Sequence, residues 1–363
     1  MVLYIWKYVQ PSGQYTVAPP YYEPDRVIDR FSSAIWCERY YEPGEFQLKI
    51  RATPELLRYF CDNELLVTQQ NSERAMIPER IVLTTSNEDG NYLTVSGKSY
   101  ESLLNRRIIR QGSKWTRNSG TGEQAIEYFA KNNILSDKYY SDPGSGDVYR
   151  FIPFLSYEPP ASTAEQRELL FPERVEIAPG MQPLGETVSN ICRFCGFGYR
   201  ILFDIPKSKM TFSVYRGTDR TLLQYENNPV VFSPDFNTIG NTEYVVDRST
   251  YCNWLYYKNG SSVRNAPADS RSIMGVTRRE RVLENTESAN TDADGTAYKE
   301  QTNFTGDVLP NDMFRYRADY FLGDTVTVQN ALGITGAATI TEVTEAEDET
   351  GYRLVPTFSE WRA

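Results

Sequence analysis

The stretch DYFLGDTVTVQN, Asp319 to Asn330, is where a strand-building pattern shows most plainly. In Leu322-Gly323-Asp324-Thr325, Gly323 supplies the backbone turn into a strand, and Asp324 is placed to bond nearby amides. Side chains alternate along a strand, so Val326 and Val328 share one face while Thr325 and Thr327 point the other way. The rest of the last fifty residues follows suit. ATITEV reads as a second strand, TEAEDETG as an acidic hairpin loop and YRLVPTF as a closing strand.

Working outward, residues 1–106 also read as mostly β. Phe46, Leu48 and Ile50 alternate with Gln47 and Lys49 after the EPGE turn, and ATPELLRYF makes one short helix with Pro54 in its first turn. MIPERIVLTTSNEDGNYLTVSGKSY reads as two strands joined at Asn87–Asn91, before SYESLLNRR turns helical. Residues 107–228 differ. Thr121 and Gln124 form a capping box ahead of Ala125, Ile126, Phe129 and Ala130. From Ser136 to Ala178 no period lasts, which suggests a long loop with short strands. A helix, then the strands YRILFDI and KMTFSVYRG, close this segment. Residues 229–363 return to β, with a polar insertion at about 262–312 that holds one possible helix near Arg278–Asn285.

Bulk properties narrow the functions. At 363 residues the chain is long enough for two or three domains. Its net charge of −10 argues against a generic nucleic-acid binder, and no 18-residue apolar run spans a bilayer. The N-terminus lacks the marks of a signal peptide, so no membrane anchor is expected. The odd cysteine count fits a reducing cytoplasm of synthesis rather than a disulfide framework. There is no histidine, which removes Ser-His-Asp and Cys-His machinery from this chain. Paired carboxylates would survive that exclusion, but none stands in an apolar setting.

The tempting motifs read as structure. Val188, Ile191, Cys192 and Cys195 fall on one helical stripe that ends at Gly196 and Gly198, so the CRFC cysteines pack. Zinc would need two more close ligands, and a redox pair would sit at a helix N-terminus. CGFG follows a helix instead of opening one, and NTDADG lacks the ligand spacing of a calcium loop. The cluster of Arg106, Arg107, Arg110, Lys114 and Arg117 around Trp115 reads as a solvated face or an interface to an acidic copy of the same protein. No cofactor, metal or catalytic residue is expected.

The β segments together resemble siphovirus tail hub proteins. DYFLGDTVTVQN with the strands after it is similar to that family's C-terminal signature. VYRGTDRT, carrying Gly217, Asp219 and Arg220, resembles its middle motif, and VVFSPDFNTIGNTEYVVDRSTYCNWLYY its next block. GEFQLKI and TVSGKSYESLLNRRII resemble the N-terminal segments. The motif residues carried over are Gly217, Asp219, Arg220, Leu322, Gly323, Asp324, Val326 and Val328. The resemblance implies a mainly β fold, related to the central hub of contractile tails. Two small β-barrel domains (1–106 and 229–363) would flank a mixed helix-strand-strand domain (107–228), with Val326 and Val328 pointing into a barrel. It also implies a homotrimeric ring at the phage tail tip, joined to other tail proteins, that passes DNA without binding it specifically. Two other readings are a host-surface carbohydrate binder, which a shallow aromatic pocket would favour, and a cell-wall hydrolase. For the hydrolase, no room is expected after the C-terminal signature.

Overall fold

Alternating burial marks the strands at both ends of the chain. The computed structural model describes residues 1–9, 21–70, 72–87, 90–135, 150, 152, 154–204, 209–259, 262–267, 274–284, 300–309 and 313–359. The N-terminal strands are β1 (Leu3–Val9), β2 (Tyr21–Ile28), β3 (Ser33–Arg39), β4 (Glu45–Arg51), β5 (Leu65–Gln69), β6 (Ala75–Ser86) and β7 (Gly90–Ser99). In β4, Phe46, Leu48 and Ile50 are buried while Glu45, Gln47 and Arg51 are exposed. Helix α1 (Pro54–Asp62) starts where the Thr53 hydroxyl accepts the Leu56 N–H and Pro54 takes the first turn.

The middle of the chain holds a 3-10 helix (Tyr100–Arg106), α2 (Gly122–Asn133), β8 (Leu155–Tyr157), α3 (Ala164–Leu170), α4 (Leu184–Cys195), β9 (Gly198–Asp204) and β10 (Lys209–Tyr215). The Thr121/Gln124 box caps α2 in both directions. Ala125, Ile126, Phe129 and Ala130 are fully buried in one core with Val188, Ile191, Cys192 and Cys195 of α4. Contact between the helices is close: a Cβ on Gly122 would stand 2.6 Å from Cys195 Sγ. The same core takes in Trp6, Leu66 and Tyr100, so the middle segment and the N-terminal strands share one interior.

The C-terminal strands are β11 (Asp219–Arg220), β12 (Val231–Phe232), β13 (Ile239–Asp247), β14 (Trp254–Asn259), β15 (Ser262–Pro267), β16 (Glu280–Glu284), β17 (Gln301–Val308), β18 (Thr325–Gln329), β19 (Thr335–Asp348) and β20 (Gly351–Phe358). One large sheet runs β13-β17-β20-β19-β3-β4-β7-β6-β5-β1-β2. β18 pairs with β19, and β11 and β12 lie parallel to β18. The long β19 makes the join. Its Thr335–Thr339 end pairs with β18, and its Glu342–Asp348 end pairs antiparallel with Arg39–Ser33 of β3. Two smaller sheets, β8-β10-β9 and β15-β14-β16, complete the fold.

The expected pair of closed barrels is corrected here. Among the described residues the strands of both ends form one open sheet, because β19 is long enough to serve β18 and β3 in turn. Its two end strands differ. At the β2 end, Pro24 offers no N–H, a bulge lies opposite at Ile5/Trp6, and Glu23 and Asp25 face water. The β13 end has no proline, and there Tyr244, Val245 and Val246 are each about 40% exposed.

Smaller expectations change too. The span from Ser136 to Ala178 contains α3, capped by the Thr163 hydroxyl on the Gln166 N–H. The helix expected at Arg278–Asn285 is strand β16, held parallel to β14 from Trp254↔Glu280 to Lys258↔Glu284. Pairing with a neighbour overrides weak helical propensity there. The acidic loop is mostly strand: Thr344–Asp348 belongs to β19, leaving Glu349 and Thr350 to turn. Gly196 ends α4 with φ 69°, whereas Gly198 opens β9. The NTDADG stretch lies outside the described residues.

Candidate functional site

The residues singled out in sequence converge on one junction, where β18 meets the end of β10 and the strand β11. Gly217 and Gly323 pass so closely that a Cβ on Gly217 would stand 1.8 Å from the Gly323 carbonyl oxygen. Gly323 has φ +95°, a region other residues avoid, and a Cβ there would come 2.4 Å from the Tyr40 ring. Tyr40, fully buried, fills the space that Gly323 leaves. Its hydroxyl donates to the Tyr215 carbonyl and accepts the Gly217 N–H, both at 3.2 Å.

Asp324 then locks the two chain segments together. Its Oδ1 accepts the Thr218 N–H at 2.8 Å. Its Oδ2 accepts Arg220 Nε at 2.8 Å and the Phe321 N–H at 2.9 Å. A buried carboxylate needs such donors, since leaving it bare would be costly. Asp219 pairs with Thr325 and Arg220 with Val326 along β11–β18. Leu322, Val326 and Val328 enter the core with Phe232, Tyr320 and Ile340. Thr327 faces the other way yet is only 4% exposed, because the Leu222 N–H bonds its hydroxyl at 3.0 Å. That second face of β18 is covered by the chain after β11.

Beside this junction lies a set of buried ions that sequence reading missed. Glu38 of β3 accepts from Trp36 Nε1, Ser72 Oγ, Tyr316 OH and Arg317 Nη2, at 2.6–3.1 Å. Arg317 also reaches Glu345 Oε1 of β19 at 2.8 Å. Glu345 Oε2 accepts from Gln69 Nε2 and the Tyr352 hydroxyl. Arg74 pairs with Glu101 at 3.3 Å and donates to the Tyr215 hydroxyl at 3.0 Å. Arg317 is held at φ 63°, unusual for a residue other than glycine, asparagine or aspartate. The network thus bolts β3 to β19, the very strands that join the two ends of the chain.

The electrostatics are those of a clamp. Burial would raise the Glu38 pKa, but Arg317, Arg74 and the hydrogen bonds outweigh it and hold the carboxyl at about 2. A carboxyl so acidic carries no proton to give at neutral pH, so it is unsuited to general acid work. Burial pushes the Tyr215 hydroxyl up to about 12 and raises that of Tyr316. A signal was available in sequence: Glu38 is in phase with buried Ala34 and Trp36, and Glu345 with buried Val343. A charge on the core phase of a strand calls for a partner.

The other motifs take structural places. Cys192 and Cys195 are buried free thiols, and burial pushes the Cys195 thiol up to about 12. Among the described residues no three Cys, Asp or Glu stand together as a metal site. In the basic cluster, Arg106 pairs with Glu79 at 2.7 Å and Arg107 Nε donates to the Arg150 carbonyl at 2.9 Å. Trp115 pairs through its backbone with Ile177 and packs its ring 5.4 Å from Tyr128. Two clefts flank the ion network and share Tyr316 and Arg317. One, of about 560 Å³, is bordered by Arg74 and Asp324. The other, of about 760 Å³, is walled by Phe314, Tyr316 and Tyr352. No helix among the described residues is long and apolar enough to cross a membrane.

With this geometry in hand, comparison with known proteins is informative. The family model for Siphovirus ReqiPepy6 Gp37-like proteins matches residues 19–268 and 284–358. The chain belongs to that family. No curated protein matches the sequence. Among solved structures, a tail protein from Neisseria meningitidis MC58 is similar at TM-score 0.54 and 13% identity, over 92% of this chain and 93% of that one. The 43 kDa tail protein of prophage MuSo2 from Shewanella oneidensis is similar at TM-score 0.54 and 11% identity, over 99% and 98%. Prophage tail protein gp18 from Listeria monocytogenes EGD-e is similar at TM-score 0.52 and 11% identity, over 100% and 96%. Identities this low speak to fold alone. This Gp37-like chain has the fold of phage tail proteins from end to end.

Proposed function

We propose that the chain is a structural, non-enzymatic subunit of the tail tip: a hub that assembles as a homotrimeric ring, closes the tail tube and joins it to the neighbouring tip proteins. DNA then passes through without specific binding, which net acidity favours, since affinity for phosphates is built largely from Lys and Arg. The observation that carries this reading is the β3–β19 join with its buried Glu38–Arg317–Glu345 bolt, in a chain whose family and fold are phage-derived. A part that holds a tube under load benefits from ends that cannot come apart separately. Gold-labelled antibody against the chain should mark the distal end of intact virion tails. Label on the capsid or along the tube would overturn the reading.

A second reading, binding of a host-surface saccharide, is favoured by the cleft of about 760 Å³ with Phe314, Tyr316 and Tyr352 on its walls. Its size is that of a small-molecule site, and aromatic faces stack on sugar C–H groups. Glycan-array binding that is lost in Tyr352→Ala would support it.

A further inference from the structure

Beyond Thr305, the only residue of β17 that pairs with β20, β13 and β17 continue as a two-stranded ribbon with no third strand among the described residues. Two-stranded ribbons are marginal in water without something to pack on. Val245 and Val246 point to opposite faces of this ribbon, and past the buried Phe304 both are about 40% exposed, so each face is only partly covered there. The ribbon carries a head, the β15-β14-β16 sheet, with its own small interior at Cys252, Asn253 and Leu255. Outside that interior the head exposes apolar side chains: Val263, Met274 and Val282 are more than half exposed, and Val276 is fully so.

The head is also charged against the grain of the molecule. Residues 248–284 hold seven Lys and Arg against three Asp and Glu. Residues 285–363 hold five against fourteen. Arg278 and Arg279 lie over the rings of Trp254 and Tyr251 at 4.2 Å and 5.8 Å, which keeps cationic groups on the head's surface in fixed places. In the acidic part, the β19–β20 hairpin tip projects Asp348 and Glu349 into water.

We infer that the ribbon and its basic head are an arm that docks on a second copy of this chain, with the head against the acidic β19–β20 hairpin tip. The inference rests on the ring reading above and names the surfaces that would make the ring. The arm and the hairpin tip are different patches, so the contact is head-to-tail, the kind that closes into rings when the rotation allows. Complementary charge sets the register, and the exposed valines supply the area.

The test uses the full chain and mass photometry with sedimentation. The wild type should form a closed oligomer that loosens as NaCl rises from about 50 mM to about 500 mM, as screened contacts do. Lys258→Glu with Arg281→Glu should weaken assembly at least ten-fold while leaving the circular dichroism spectrum unchanged. Adding Asp348→Lys and Glu349→Lys to that variant should restore it. Val245→Thr with Val246→Thr, gentler on the fold, should also weaken assembly. If the wild type forms an oligomer that all arm variants keep, the arm inference is overturned and the ring stands. A wild type that stays monomeric at every concentration overturns both. Binding of the head to a DNA duplex, lost in the charge variant while the oligomer persists, overturns the arm's assignment to a second copy.

Discussion

Around Tyr40 the chain is built inward; from Val245 to Glu284 it is built outward. At the junction Gly217 makes way for the Gly323 carbonyl and Gly323 for the Tyr40 ring, both oxygens of Asp324 accept hydrogen bonds, and buried ions are paired with opposite charges. In the arm, valines on both faces stay partly exposed and arginines lie on the surface over aromatic rings. Both regions are β, and both are read from the same kind of sequence. The difference teaches that strand pattern alone does not separate a part that must not move from one that must meet another molecule. What separates them is the fate of their charges: buried in contact with opposite charges in one, in excess on the surface in the other.

The comparison can be broken most severely at the junction. Val328→Asp places an unpaired charge in a fully buried site beside Phe232, and no soluble folded protein should be recovered. Thr327→Asp should also be damaging, since its site is covered and its hydroxyl serves the Leu222 N–H. Soluble yield and near-ultraviolet circular dichroism would read both. A Thr327→Asp protein as stable as wild type would show that the covering segment peels away freely.

Next in size is Arg317→Met, which strands Glu38 and Glu345 together without their shared cation. Removing one partner from a buried ion set costs about 3–5 kcal/mol, to be read from guanidinium unfolding. A smaller, related effect depends on pH. The folded Glu38 carboxyl, at about 2, lies below its usual 4.5. The stability it contributes is therefore fully present above 4.5 and is lost as pH falls toward 2, amounting to about 3 kcal/mol at roughly 1.4 kcal/mol per unit. Stability measured from pH 6 down to 2 should decline in that window, and the Arg317→Met protein should decline less.

Smaller again is Cys192→Ala with Cys195→Ala. Lost volume in the α2–α4 core should cost about 1 kcal/mol or more per site, with no metal- or redox-dependent property removed. The smallest effect sharpens the contrast: Met274→Ser with Val276→Ser, on the arm's exposed head, should shift the stability of the isolated chain by no more than about 0.5 kcal/mol. A large loss there would mean the head is an interior part after all.

How much was legible follows from these same residues. β4, α1, α2 and α4 were readable because their periods and caps are local, as with Phe46-Leu48-Ile50 and the Thr121/Gln124 box. Strand β16 was not, because nothing in Arg278–Glu284 announces that β14 will lie beside it. The open sheet was not, because only the pairing of β19 with β3, some 300 positions apart, reveals it. At the junction, Gly323 and Asp324 were marked by their turn chemistry. Tyr40 and Arg317 stayed hidden, since a tyrosine in a turn and an arginine before an aspartate look ordinary until three segments meet around them.

Pro24 in the outermost strand β2 has one more consequence. A sheet that could accept another strand at both margins would let copies stack without limit, the geometry of a fibril. A missing N–H, a bulge and two carboxylates blunt the β2 margin, while the β13 margin, the other end of the main strand path, carries no proline. Stacking of copies through both ends of this sheet is therefore disfavoured, which is one way a β-rich chain avoids edge-to-edge aggregation.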